Sequence, residues 1–279
     1  MQFVMLTDTH FVAQGRCLYG LDLEGRLKTA VEIINRKHPK IAFLIITGDL
    51  VHWGEEAAYR NLADALRGCS APVILMMGNH DRRAPFLAVF PHADQDGAGF
   101  VQCVRQLDDA TIITLDSLDE EAPNDEGLLC RHRLTFLEQA LTAAPKDKPV
   151  LLFQHHPPFD TGLKSMDRIK LRNWEDEWAV ISRTRRPDYL FTGHVHRPIA
   201  GSWNGVPFHI QRGLGHQVAF DFETTDHTPG SHEPPDYTLV TVKDATIVIH
   251  QSSFLYDGPR FSLDDSMAAA APSPDQLPR

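Results

Sequence analysis

The chain has 279 residues, enough to bury one large core, and its 42% hydrophobic and 23% charged content is that of a soluble globular protein. A net charge of −10 argues against a nucleic-acid polymer or an anionic membrane as main partner, so any phosphate chemistry needs positive charge supplied locally. Four widely spaced cysteines form neither a zinc knuckle nor a disulfide framework, and no apolar run approaches the roughly 20 residues of a membrane span, so a reduced, cytoplasmic protein is expected.

In chain order, Gln2 to Thr7 reads as a strand that runs directly into polar residues at Asp8, with no signal peptide before it. Leu27, Ala30, Val31 and Ile34 recur with helical spacing, and that helix is expected to end before Pro39. Ile41 to Thr47 is a continuously apolar strand, Ala58 to Leu66 a second helix, and Pro72 to Met77 a third buried strand. This β-α-β-α-β order predicts parallel pairing with right-handed crossovers. Phe100 to Val104 and Thr111 to Leu115 read as strands, and Leu134, Leu137 and Leu141 share a helix face. Val150 to Phe153 and Tyr189 to Phe191 are further buried strands. A hairpin is expected at Trp203-Asn204-Gly205, and another joins Thr238–Val242 to Thr246–His250. The pattern fits a layered α/β sandwich of two sheets. A single domain over residues 1–265 and a mobile, Ala/Pro-rich tail over 266–279 are expected.

Fifteen histidines are not scattered evenly. Polar clusters stand where five apolar strands stop: Asp8-Thr9-His10, Gly48-Asp49, Gly78-Asn79-His80-Asp81, His155-His156-Pro157-Pro158 and Gly193-His194-Val195-His196. Each alone has an ordinary reading, such as a turn and helix cap for Gly48-Asp49 or a rigid turn with solvated imidazoles for His155-His156. Strand alternation is expected to put Asp8 beside His10, and an extended segment to put His194 beside His196. Together, at strand carboxyl ends, the five clusters deliver Asp, Asn and His to one rim. A nitrogen/oxygen set without cysteine suits iron, manganese or zinc. Seven such ligands are too many for one ion and suit two, with a shared carboxylate; two ions roughly 3.5–4 Å apart suit in-line displacement at phosphorus.

These residues resemble the calcineurin-like metallophosphoesterase superfamily, whose blocks D-x-H, G-D, G-N-H-[DE], a histidine after the fourth strand and G-H-x-H are matched in order. The similarity is greatest to its bacterial class III cyclic-nucleotide phosphodiesterases and the related glycerophosphodiesterase. It extends to Thr7–Phe11, Leu18-Tyr19-Gly20, Gly48-Asp49-Leu50-Val51 and Met166-Asp167, and covers about residues 1–222. The resemblance implies a four-layer α/β/β/α sandwich of two mixed sheets flanked by helices, holding two ions, with iron or manganese favoured over zinc. Asp8, His10, Asp49 and His196 would hold the first ion, and Asp49, Asn79, His155 and His194 the second. His80 would protonate the leaving oxygen, oriented by Asp81, and a metal-bound hydroxide would attack. His10, Asp49, Asn79, His80 and His196 would surround the substrate phosphate, with His156 outside the ligand set.

The implied activity is hydrolysis of small phosphodiesters, 3′,5′-cyclic nucleotides among them. The alternatives are a glycerophosphodiesterase, a broad phosphomonoesterase and a non-catalytic scaffold; the last would be expected to lack some of these ligands. Phe159 to Trp174 reads either as a surface loop or as a rim contacting substrate beyond its phosphate. His209 and His216 are additional candidates near the site, with a structural role expected for each. The stretch 221–265 is expected to add cap or oligomerisation elements, with a homo-oligomer implied by the family and a subunit contact expected at Asp221 to Asp236.

Overall fold

Strands buried on both faces, such as Leu44–Ile46, Thr111–Leu115 and Val150–Gln154, form the middle of the sheets of the computed structural model, which describes residues 1–256 and residue 263. The expected tail at 266–279 and the end of the expected 1–265 domain lie outside the described residues. β1 (Gln2–Leu6), α1 (Leu23–Lys37), β2 (Leu44–Ile46), α2 (Glu56–Leu66) and β3 (Val73–Leu75) follow the predicted order, and their strands pair in parallel. α1 begins where Asp22 Oδ1 accepts the Gly25 N–H at 2.8 Å and ends with Arg36 and Lys37, a charge order that matches the helix dipole.

After α3 (Arg83–Val89), the chain enters a second sheet through β4 (Cys103–Gln106) and β5 (Thr111–Leu115). α4 (Arg131–Ala143), β6 (Val150–Gln154), α5 (Lys164–Asp167), α6 (Trp174–Arg183) and β7 (Tyr189–Thr192) come next. The hairpin β8 (Ile199–Trp203) and β9 (Val206–Ile210) turns at Asn204-Gly205, both at positive φ. β10 (Gln217–Val218) and β11 (Gly230–Ser231) make a small ribbon. Finally β12 (Asp236–Lys243) and β13 (Thr246–Ser253) return to the first sheet, where β12 lies antiparallel to β1. The strand orders are β13-β12-β1-β2-β3 and β4-β5-β6-β7-β9-β8.

Side-chain alternation assigns the layers. Val4, Leu6, Leu44 and Ile46 face Leu27, Ile34, Tyr59 and Leu62 of α1 and α2. Phe3, Met5 and Ile45, on the opposite face, meet Ile112, Leu151, Phe153 and Phe191 of the second sheet. There Phe153 and Phe191 stack at 4.7 Å, and the Phe3 ring meets both edge-on. The far face of the second sheet, with Ile113 and Leu152, packs on Leu137 and Leu141 of α4 and Val180 and Ile181 of α6. The result is the α/β/β/α sandwich. No helix among the described residues is long and apolar enough to cross a membrane.

α6 escaped the sequence pattern because its buried face includes a carboxyl group. Glu177 is fully buried beside Val180 and Ile181; Gln154 Nε2 lies 3.3 Å from one of its oxygens and no partner meets the other. Burial pushes this carboxyl from 4.5 up to about 8, with the Gln154 amide only partly offsetting it. Between those limits the folded chain holds a proton that the unfolded chain has lost, so stability falls as pH rises through the window. Glu177→Gln removes that loss. The melting temperature of Glu177→Gln relative to the parent should therefore climb from about pH 5 to about pH 8, and a flat difference across a pH series would refute the assignment.

Candidate metal centre

The five polar clusters do converge, but not by simple continuation of the strands. Asp8, His10, Asp49, His194 and His196 all have left-handed backbone, with φ of 53, 46, 49, 67 and 52°. The expectation of strand alternation is thus corrected: β1 stops at Leu6 and β7 at Thr192, and each donor beyond sits on a kink. Non-glycine residues adopt this conformation at a cost of about 1–2 kcal/mol each, so the surroundings must enforce it. Hydrogen bonds between loops do so. Asp8 N and His10 N donate to Gly48 O and Asp49 O at 3.1 and 2.9 Å, Gly193 N donates to His155 O at 3.1 Å, and Gly215 N donates to Asp8 O at 3.1 Å. Val195, between the two histidines, is fully buried in the core of the second sheet.

Close approach explains two of the motif glycines. A Cβ on Gly78 would stand 2.2 Å from Asp49 Oδ1, and one on Gly48, at φ +102°, would stand 2.5 Å from His155 Nδ1. Nothing larger than hydrogen fits where these loops cross.

The donor atoms face one another. His10 Nε2 lies 3.1 Å from His196 Nε2 and 3.6 Å from Asp49 Oδ2, while His196 Nε2 lies 3.2 Å from Asp8 Oδ1. Asn79 Oδ1 lies 2.9 Å from His194 Nδ1 and 3.2 Å from His155 Nε2, which is 3.4 Å from Asp49 Oδ2. Asp49 therefore stands between the two expected sets. Asp8, His10, Asp49 and His196 place one ligand atom each within 4.8 Å of one another. Outward-facing ring nitrogens are anchored: His155 Nδ1 by Thr47 O at 2.8 Å, His196 Nδ1 by His216 O at 2.7 Å.

Lone pairs packed this closely repel unless a proton or a cation lies among them. Asp8 Oδ1 and His194 Nε2 are buried without a hydrogen-bond partner. Burial works to raise the Asp49 carboxyl, but the imidazoles of His155 and His80 outweigh it and hold it well below the carboxylate range. Burial likewise pulls His155 down, yet Asp49 and Asp8 push it up to about 9. A proton on His155 thus does part of the work a cation would do, and metal binding would release it. The residues fit a pair of cations with nitrogen and oxygen ligands.

Neighbouring residues fall into place with two corrections. Asp81 does not orient His80: its carboxylate accepts the N–H groups of Gly78, Leu50 and Val51 and the Tyr59 hydroxyl, at 2.9–3.3 Å. It clamps the Asp49 loop to the Asn79 loop, and burial with nearby Asp49 pushes it up to about 7. His80 is held by other partners: its ring Nδ1–H donates to His52 O at 2.8 Å and its backbone N–H to Asp49 Oδ1 at 2.9 Å. His156 turns Nδ1 to Ser117 Oγ at 2.8 Å, yet its Nε2 is buried without a partner, within 4.8 Å of ligand nitrogens of His155 and His194. His209 is structural, bonded to Thr238 Oγ1 at 2.9 Å.

The centre forms the floor of a cavity of about 680 Å³. Of the sequence-predicted residues, His10, Asp49, Asn79, His80, His194 and His196 line it. Tyr19, His52 and Asp125, which the sequence reading did not assign to the site, join them, as does His216, which it named as a candidate nearby. The His216 ring packs on His10 and His196, and its buried Nδ1 has no partner. Met166 and Ile169 from the 159–174 stretch form part of the wall, which supports the rim reading. Thr228 to His232, from the stretch expected at a subunit contact, closes the other side.

Residues 1–198 match the model of the calcineurin-like phosphoesterases. The chain belongs to that family. It is 65% identical, over 96% of its length and 98% of the relative's, to a probable cyclic nucleotide phosphodiesterase of Rhodopseudomonas palustris. It is 30% identical, over 86% of its length and 88% of the relative's, to a probable glycerophosphodiester phosphodiesterase of Arcobacter nitrofigilis. A 3′,5′-cyclic adenosine monophosphate phosphodiesterase of Escherichia coli is 29% identical over 74% of this chain and 73% of its own. A dimetal phosphatase of Danio rerio superposes with a TM-score of 0.67 over 91% of this chain and 96% of its own at 15% identity, a likeness of fold alone. This phosphoesterase is thus an enzyme of a fold that implies two metal ions.

Asn79 offers the only amide oxygen among the seven donors. Asn79→Ala should weaken binding of one of two Mn²⁺ equivalents by at least about tenfold while the chain stays folded. Two sites of parental affinity by calorimetry would remove Asn79 from the ligand set.

Proposed function

We propose that this phosphoesterase hydrolyses small phosphodiesters, 3′,5′-cyclic nucleotides first among them, with two iron or manganese ions in preference to zinc. The observation that carries the reading is the convergence of seven nitrogen and oxygen donors, five of which line a 680 Å³ cavity together with His80. That volume lies within the roughly 300–1,000 Å³ usual for ligand pockets and suits a nucleotide. Met166, Ile169, Val218 and Pro229 give the wall an apolar surface for the group beyond the phosphate. Relatives named as cyclic nucleotide phosphodiesterases support the same choice.

When bound, a metal pair supplies Lewis acidity and polarises water for in-line displacement. The chain's own residues do the rest. Asp8, His10, Asp49 and His196 would hold one ion and Asp49, Asn79, His155 and His194 the other. His10, Asp49, Asn79, His80 and His196 would enclose the phosphoryl group. With Nδ1 donating to His52 O, His80 leaves Nε2 for the leaving oxygen, and as the imidazolium it would give up a proton there. Its backbone bond to Asp49 fixes the spacing between that proton and the centre. An acidic surface of net charge −10 disfavours nucleic-acid polymers as substrates.

A glycerophosphodiester is the second reading, supported by the Arcobacter relative. Values of kcat/KM on cyclic AMP, cyclic GMP, 2′,3′-cyclic nucleotides, glycerophosphodiesters and simple monoesters decide between them. We expect the 3′,5′-cyclic nucleotides to lead; a lead for glycerophosphodiesters would replace this reading, and no turnover with Mn²⁺, Fe²⁺ or Zn²⁺ would favour a scaffold. His80→Ala should retain both metals and lose roughly 10²–10⁴-fold in kcat, the scale of a general acid. An equal loss of metal in that variant would make His80 a ligand instead.

A further inference from the structure

His52 sits three residues beyond Asp49, and its ring stands behind the first metal's histidine. His10 turns Nε2 toward His196 and Asp49, while its Nδ1 lies 3.2 Å from His52 Nδ1. Two ring nitrogens at that distance share one proton: one donates and the other accepts. We propose that His52 is a positioning residue for the metal centre, whose Nδ1 accepts the Nδ1–H of His10 and so fixes His10 in the tautomer that offers Nε2 to a cation. The inference rests on the metal reading given above.

The chemistry leaves one arrangement. A histidine that binds a cation through Nε2 keeps its proton on Nδ1. His52 Nδ1 must then present a lone pair, and the neutral His52 ring carries its own proton on Nε2. The contrast with the other ligands is informative. His155 and His196 lean on main-chain carbonyls, which accept in any state of the protein. His10 leans on an imidazole, which accepts in one tautomer only.

The protein holds His52 for this task. Its N–H donates to Phe11 O at 2.9 Å, and Trp53 meets its ring edge-on at 4.7 Å. Its ring stacks on His80 at 4.7 Å and 19°, and its carbonyl takes the His80 Nδ1–H. One residue therefore sets the orientation of both a metal ligand and the proposed acid.

Three chains test this: the parent, His52→Phe and His52→Asn, each titrated with Zn²⁺ in competition with a chromophoric chelator. Phenylalanine keeps a ring on His80 but has no acceptor; asparagine restores an oxygen near the Nδ1 position. We expect His52→Phe to bind Zn²⁺ about 10–100-fold more weakly, the usual effect of losing such a partner, and His52→Asn to recover most of the loss. Nitrogen-15 spectra of the Zn²⁺-loaded parent, which need no variant to fold, should show His52 protonated on Nε2 and bare on Nδ1. Parental affinity in His52→Phe, no recovery in His52→Asn, or a loaded His52 protonated on Nδ1 would overturn the role of His52 alone. A parent that binds no Zn²⁺ would overturn the metal reading and this inference with it.

Discussion

Mutual repulsion among buried donor atoms governs the organisation of this protein. Two carboxylates, one amide oxygen and four imidazoles point their lone pairs inward at separations a little over 3 Å, in a place water scarcely reaches. Such an assembly is unfavourable by itself. The fold tolerates it because the donors are fixed from behind by backbone hydrogen bonds and by large cores on either side. In exchange the chain gains a site that fits a pair of cations, through which an acidic molecule would concentrate positive charge at one point.

The cost is visible in the backbone. Left-handed conformations at five donors are spread over three strand ends, and all lie in loops that hydrogen-bond to one another. Asp81 shows how the load is shared. It touches neither the expected acid nor the cavity, yet its carboxylate draws together three N–H groups from two loops that must cross with no room for a side chain. A residue in the most diagnostic motif thus serves geometry, while the acid proposed here is its neighbour His80.

Most of the architecture and the five polar clusters that converge were legible in the amino-acid order, because strand periodicity and strand-end polarity are local signals. What escaped was tertiary or masked. α3 has Pro85 in its first turn and a single fully buried residue, Phe86, so no stripe announces it. α6 hid behind Glu177, a carboxyl on a buried face. His52 and His216 carry no motif of their own; they matter only because His10 and His196 come to rest beside them. The 221–236 stretch is polar and Pro-rich, and nothing in its composition says that Thr228 to His232 fold over the cavity. Asp81 illustrates the converse, a residue given a chemical role by adjacency alone.

The return of β12 to β1 has a bearing on biosynthesis. Gln2 to Met5 leave the ribosome long before their antiparallel neighbours, Thr238 to Thr241. Until those neighbours emerge, one edge of β1 has exposed N–H and C=O groups that invite pairing with other nascent chains. The donors run from Asp8 to His196, so vectorial synthesis also delays their meeting until His196 has emerged, and any metal would load onto a chain already most of the way made.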